Sequence, residues 1–233
     1  MNIIQILLAG MLSLGHTSKT THVKPKSENI IHAKDSYAQL KEKFDVLPDR
    51  TIFEKAMAGW SHLKEDLRNP MLTIIDFSLP STEKRMWVID PKNMEVKLHT
   101  VVSHGRNSGN LFAESFSNTP NSYKSSLGFY KTAETYKGKH GYSLRLDGLE
   151  KGFNDKARDR AIVIHGADYA REEVAKSSGR LGRSLGCPAL PSEISKEAID
   201  LIKDGSLIFI YGEDEKYLSN SPILSEALLS QPV

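Results

Sequence analysis

MLTIIDFSLPSTEKRMWVIDPKNMEVKLHTVVS (71–103) is the stretch whose reading decides the fold class. It contains three short runs, MLTIIDF (71–77), RMWVID (85–90) and EVKLHTVVS (95–103), set apart by residues that favour turns. β-Branched and aromatic side chains fit a pleated, half-buried surface, so each run predicts a strand. Pro91-Lys92-Asn93 predicts the hairpin turn between the second and third. Four more runs of this kind follow: LGFYKT (127–132), YSLRL (142–146), AIVIH (161–165) and SLIFIYG (206–212). One helix is expected from Glu193 to Asp204, capped by Ser192 and stopped by Gly205, with Ile194, Ala198, Leu201 and Ile202 facing inward. The expectation is a mainly β protein with a late helix.

Upstream of the strands the period changes. A helical pattern covers Ser36 to Phe44. A stronger one covers Ile52 to Leu67, where Phe53, Ala56, Met57, Trp60, Leu63 and Leu67 recur at three- and four-residue steps. Thr51 with Glu54 fits a capping box. Residues 34–69 therefore read as a small helical appendage, either a partner-docking piece or a cover for an open sheet edge. Residues 16–33 read as a linker and 213–233 as a flexible tail. Ile3 to Leu14 is an apolar run too short for the roughly 20 residues of a membrane span. Ser13 and Gly15 are small residues at a possible cleavage site, so 1–15 reads as a signal peptide. This predicts an exported protein of the periplasm or cell envelope, with no transmembrane segment after cleavage.

Composition narrows the chemistry. The chain has 233 residues, 31 Lys and Arg against 29 Asp and Glu, and a net charge of +2. That balance gives no general case for nucleic-acid binding. Positive charge is in excess over 137–187, which suits an anionic substrate and equally a solvated surface. The chain has one cysteine, Cys187, so neither an internal disulfide nor a multi-thiolate zinc site is possible.

Cys187 is either an inert buried thiol or a working one. It follows the glycines at 179, 182 and 186 in the stretch GRLGRSLGCPAL (179–190), and AIVIHGADYA (161–170) places His165 at the end of an apolar strand. Buried structural cysteines sit in apolar runs, whereas this one sits among Gly, Arg and Ser. A thiol needs a nearby base to become a nucleophile near neutral pH, and imidazole is the usual one. Glycines let backbone N–H groups come close to an attacked carbonyl. Their spacing alone does not bring His165 and Cys187 together.

At these residues the sequence resembles the L,D-transpeptidase (YkuD-like) catalytic domain. The resemblance is carried by His165-Gly166, by Ser184-Leu185-Gly186-Cys187, and by the longer strings SSLGFY (125–130), KHGYSLRLDGLEKGFND (139–155), RAIVIHGADY (160–169) and GRSLGCPAL (182–190). It covers roughly 70–212. It implies a β-sandwich or barrel and a peptidoglycan L,D-transpeptidase that needs no metal or organic cofactor. Cys187 would attack the bond between an L-centre and D-Ala in a tetrapeptide stem and form a thioester. An amine would then take the acyl group, giving a 3–3 cross-link or anchoring an envelope protein. His165 would be the base, the Gly166 carbonyl would orient it, and the N–H groups of Gly186 and Cys187 would hold the oxyanion. The resemblance also implies sensitivity to carbapenems. An L,D-carboxypeptidase or endopeptidase acting on the same stem is the alternative, and an inactive wall-binding module is a lesser one. The sequence departs from the wider family in lacking an Arg two places after the cysteine, where Ala189 stands. Arg183 or Arg180 is a candidate replacement.

Other residues have two readings each. His104 and His140, each before a glycine, line the cleft or serve as structural loop residues. Arg183 and Ser184 bind substrate or stabilise the loop. Tyr142 packs against the stem or fills the core. The polar stretch 114–126 is a flap or an inert loop, and Asp168 is a turn cap rather than an acid.

Overall fold

The computed structural model describes residues 28–229, with side chains from 36 to 227. The expected signal peptide and residues 16–27 of the expected linker lie outside the described residues. Each of the seven runs read as strands forms one: β1 (Leu72–Asp76), β2 (Met86–Asp90), β3 (Glu95–Thr100), β4 (Gly128–Gly138), β5 (Gly141–Gly148), β6 (Val163–Gly166) and β8 (Leu207–Tyr211). The two-residue β7 (Ala189–Leu190) completes a single sheet, in the order β3-β2-β1-β8-β4-β5-β6-β7. β1 with β8 and β6 with β7 are parallel pairs. The expected hairpin joins β2 and β3, its turn fixed by the Asp90 carboxylate, which accepts the Lys92 and Asn93 N–H groups at 3.0 and 3.1 Å.

The two ends of the sheet meet. Past β3, Ser103 bridges to Ala189 of β7, and its N–H donates to the Ala189 carbonyl at 2.8 Å. The sheet is therefore nearly closed, the barrel form of the expected β class. Closure leaves few open edge groups.

Several expectations for the helices are corrected. α1 (Glu28–Lys43) begins inside the stretch read as linker. α2 (Arg50–Leu63) is capped by Asp49, whose Oδ1 accepts from Thr51 N–H at 2.8 Å and from Ile52 N–H at 3.4 Å. Thr51 lies already inside the helix, so it cannot form the capping box. The helices are not an appendage. Ile52, Phe53, Ala56 and Met57 join the same apolar core as the sheet, and a Cβ on Gly59 would stand 2.3 Å from the Phe129 ring. Burying one such aromatic contributes about 1.5–3 kcal/mol.

The late helix, after the short α3 (Glu172–Ser178), is α4 (Ser192–Ile202). Ser192 is its first residue rather than its cap, and its hydroxyl donates to Asp168 Oδ1 at 2.8 Å. The helix ends at two residues of positive φ, Asp204 and Gly205. The stretch read as a flexible tail instead forms α5 (Glu215–Asn220) and α6 (Pro222–Leu229). Tyr217, Ile223, Leu224 and Ala227 are buried there. Burial of these side chains offsets the entropy of ordering the segment. Among the described residues no helix is long and apolar enough to cross a membrane.

Candidate active site

Strand register brings the two key residues together. In the parallel β6–β7 pair His165 lies opposite Ala189. Two residues back along each strand are Val163 and Cys187, and the Val163 N–H points to Cys187 Sγ at 3.5 Å. Side chains two apart share one face of a strand, so the β6 side chains Val163 and His165 both reach the cavity that holds Cys187. That cavity has a volume of about 340 Å³.

His165 is held from both sides. Its Nδ1 lies 2.9 Å from the Gly166 carbonyl, which can only accept. Nδ1 therefore carries the proton and Nε2 is left as the basic nitrogen. The His140 ring stacks on the His165 ring with centroids 4.4 Å apart. Burial pushes the His165 pKa down. The Gly166 hydrogen bond opposes this, and the charges of His140 and Lys139 add to it. The Cys187 thiol is pushed up by burial, opposed by the Val163 N–H and by the charges of Arg160 and Lys139. Burial thus disfavours the charged form of both groups, and the thiol donates to the Ala161 carbonyl at 3.6 Å while the imidazole lines the same cavity.

The loop before the cysteine is braced by the 104–109 loop. The Ser184 N–H donates to the His104 carbonyl at 3.0 Å, and the Arg106 N–H donates to the Ser184 carbonyl at 2.8 Å. The Ser184 hydroxyl accepts from Gly186 N–H at 3.0 Å and donates to the Cys187 carbonyl at 2.6 Å. Ser184 thus takes the loop-stabilising reading of its two, and the expected oxyanion pair is corrected. Ser184 borders the cavity, but its hydroxyl is spent on shaping the turn. The Gly186 N–H is likewise spent on Ser184, which leaves the Cys187 N–H as the donor of the expected pair. Gly186 has φ +124, a conformation L side chains rarely adopt.

The remaining sequence-stretch candidates divide. His140 and Arg183 line the cavity. Arg183 Nη1 also donates to the carbonyls of Arg106 and Gly109, at 3.1 and 2.9 Å. His104 and Tyr142 do not line it, which leaves each with its structural reading and removes the substrate-binding one. His104 is wholly buried, accepts from Arg85 Nη2 at 2.8 Å, and has its pKa lowered to about 4 by burial and the Arg85 charge. It is a neutral strut under the 104–109 loop. Tyr142 donates to Asp200 Oδ1 at 3.0 Å and packs on the core. Arg180 turns to the Leu181 carbonyl at 2.8 Å and stands off the cavity lining. Sequence reasoning missed Arg160, Lys139 and Tyr169, which do line it. The only available signal was that Lys139 and Arg160 fall in the basic segment. Among the described residues no group of three or more His, Cys, Asp and Glu is placed to hold a metal ion.

The arrangement is thus a nearly closed sheet with a thiol and an imidazole lining one cavity. Residues 46–211 match the family model described as the L,D-transpeptidase catalytic domain. The chain belongs to that family. Among solved structures it is similar to an L,D-transpeptidase from Mycobacterium smegmatis, at 13% identity and a TM-score of 0.38, covering 61% of this chain and 58% of that one. It is similar to an L,D-transpeptidase from Stackebrandtia nassauensis at 13% identity and a TM-score of 0.37, covering 76% of both chains. A Mycobacterium tuberculosis L,D-transpeptidase 1 is 14% identical, with a TM-score of 0.35 and 61% of each chain covered. The chain thus spans less than two thirds of the length of the Mycobacterium structures it resembles. No curated protein matches it.

Proposed function

We propose that the protein is an exported peptidoglycan L,D-transpeptidase that works through a Cys187 thioester. The observation that carries this reading is the cavity that Cys187 shares, through the β6–β7 register, with a His165 whose Nδ1 is taken up by the Gly166 carbonyl. His165 Nε2 takes the thiol proton as sulfur attacks the carbonyl carbon of the L-centre in a tetrapeptide stem. The Cys187 N–H faces the oxyanion. The C–N bond to D-Ala then breaks, and the imidazolium returns its proton to the leaving amine. An acceptor amine, from a second stem or an envelope protein, attacks the thioester and releases the thiol. Lys139, Arg160 and Arg183 line the cavity with no carboxylate among its lining residues, which suits an anionic stem.

Purified protein incubated with disaccharide tetrapeptide tests the reading by product mass. Cross-linked dimer with free D-alanine supports the transpeptidase. Tripeptide and D-alanine alone would make it an L,D-carboxypeptidase, and no turnover would overturn both.

A further inference from the structure

The segment 114–126 carries no helix or strand, yet one side chain pins it in four places. Arg160 Nη1 donates to the Ser117 carbonyl at 2.8 Å and the Ser126 hydroxyl at 3.0 Å. Arg160 Nη2 donates to the Lys124 carbonyl at 2.6 Å and reaches the Ser122 hydroxyl at 3.5 Å. The same groups press on the turn before the cysteine. A Cβ on Gly186 would stand 2.9 Å from the Lys124 carbonyl and 3.3 Å from Arg160 Nη2. The Ser125 hydroxyl adds a bond to the Gly186 carbonyl at 3.4 Å. Strap, guanidinium and turn are therefore in mutual contact.

Arg160 is also a cavity residue, beside Cys187. Its hydrogen bonds go to carbonyls and hydroxyls, and among the described residues no carboxylate forms an ion pair with it. A planar, multiply donating cation can clasp several carbonyls at once and still present its charge to a neighbour, which an ammonium does less well.

We propose that Arg160 is a positioning residue for Cys187: it clasps the 114–126 strap against the turn before the cysteine and presents an uncompensated cation to the sulfur. The proposal rests on reading Cys187 as the nucleophile, but its test does not need the peptidoglycan reaction. The other titratable groups facing Cys187 are Tyr136, Lys139 and His140 from the β4–β5 hairpin, His165 on β6, Tyr169 after it, and Arg183 on the cysteine's own loop. These stay unchanged in every variant.

The test is the pH dependence of Cys187 alkylation by iodoacetamide, in which the thiolate displaces iodide to form a thioether, read by intact mass. Having one cysteine makes the reading unambiguous. It is paired with hydrogen exchange over 117–126 in wild type, Arg160→Met and Arg160→Lys. Arg160→Met should move the alkylation midpoint up by about one pH unit, as loss of a close opposite charge does. Arg160→Lys should hold the midpoint near wild type while the strap amides exchange at least about tenfold faster, because the fork is lost. A folded Arg160→Met whose alkylation profile superimposes on wild type would overturn the proposal. If Arg160→Met does not fold, unchanged strap exchange in Arg160→Lys overturns it on its own. Normal alkylation shifts without any muropeptide turnover would instead refute only the transpeptidase reading.

Discussion

His140 lies face to face with His165, their ring planes 28° apart. The stack joins the turn of the β4–β5 hairpin to the end of β6, so the His165 imidazole is gripped by an element that the sequence alone does not connect to it. The charge of His140 also helps push the His165 pKa below its ordinary 6.5. A base must be unprotonated to act, so a lower pKa extends activity toward acid. Replacing His140 by Phe keeps a ring in the stack and removes the charge. The acid limb of kcat/KM should then move to higher pH by about half a unit, as a near like charge would have held it down. A coincident profile in His140→Phe would show that the two rings are not electrostatically coupled.

Removal of the two proposed reacting groups should give the steepest losses. Cys187→Ala should abolish turnover of tetrapeptide muropeptides, and His165→Ala should leave a trace. A carbapenem should add once to the wild-type chain and not at all to Cys187→Ala, as read by intact mass. Full turnover in the alanine variant would remove Cys187 from the chemistry.

The turn before the cysteine tolerates little. Gly186→Ala places a Cβ at positive φ and 2.9 Å from the Lys124 carbonyl. Backbone strain of this kind costs about 1–3 kcal/mol. Thermal unfolding should shift down accordingly, and kcat should fall further than the loss of folded protein explains, because the strap and the cysteine move together. An unchanged Tm would mean the strap yields freely.

Glu150 ties the last two helices to the sheet. Its buried carboxylate accepts the Phe129 N–H at 2.8 Å, the Tyr217 hydroxyl at 3.1 Å and the Ser221 hydroxyl. Glu150→Ala leaves buried donors without an acceptor, each costing about 1–3 kcal/mol. The urea midpoint should fall, and proteolysis should begin in 213–229. Wild-type resistance there would show that apolar burial alone holds the helices.

The strands from β1 to β3 and the helical period of α2 were plain in the sequence because each is a local pattern. β7 was not, since two residues between Pro188 and Pro191 carry no period of their own. α5 and α6 were hidden for a related reason: their apolar residues acquire meaning only against the rest of the core. The polar loop SHGRNSG gave no sign that His104 is buried, because that follows from β3 running on to meet β7. Arg160 read as one more surface cation. Its four bonds reach back 34 to 43 residues in the chain, and no short window contains them.

The bridge between Ser103 and Ala189 has a consequence for when the thiol becomes useful. Cys187 sits two residues from the seam where the barrel shuts, and its loop is laced to the chain leaving β3. With that seam apart, the cysteine and the histidine still share the β6–β7 end of the sheet, but the 104–109 loop that braces the cysteine's turn stays with the β3 end. The brace on the turn before the chain's only thiol therefore exists only once the barrel is shut.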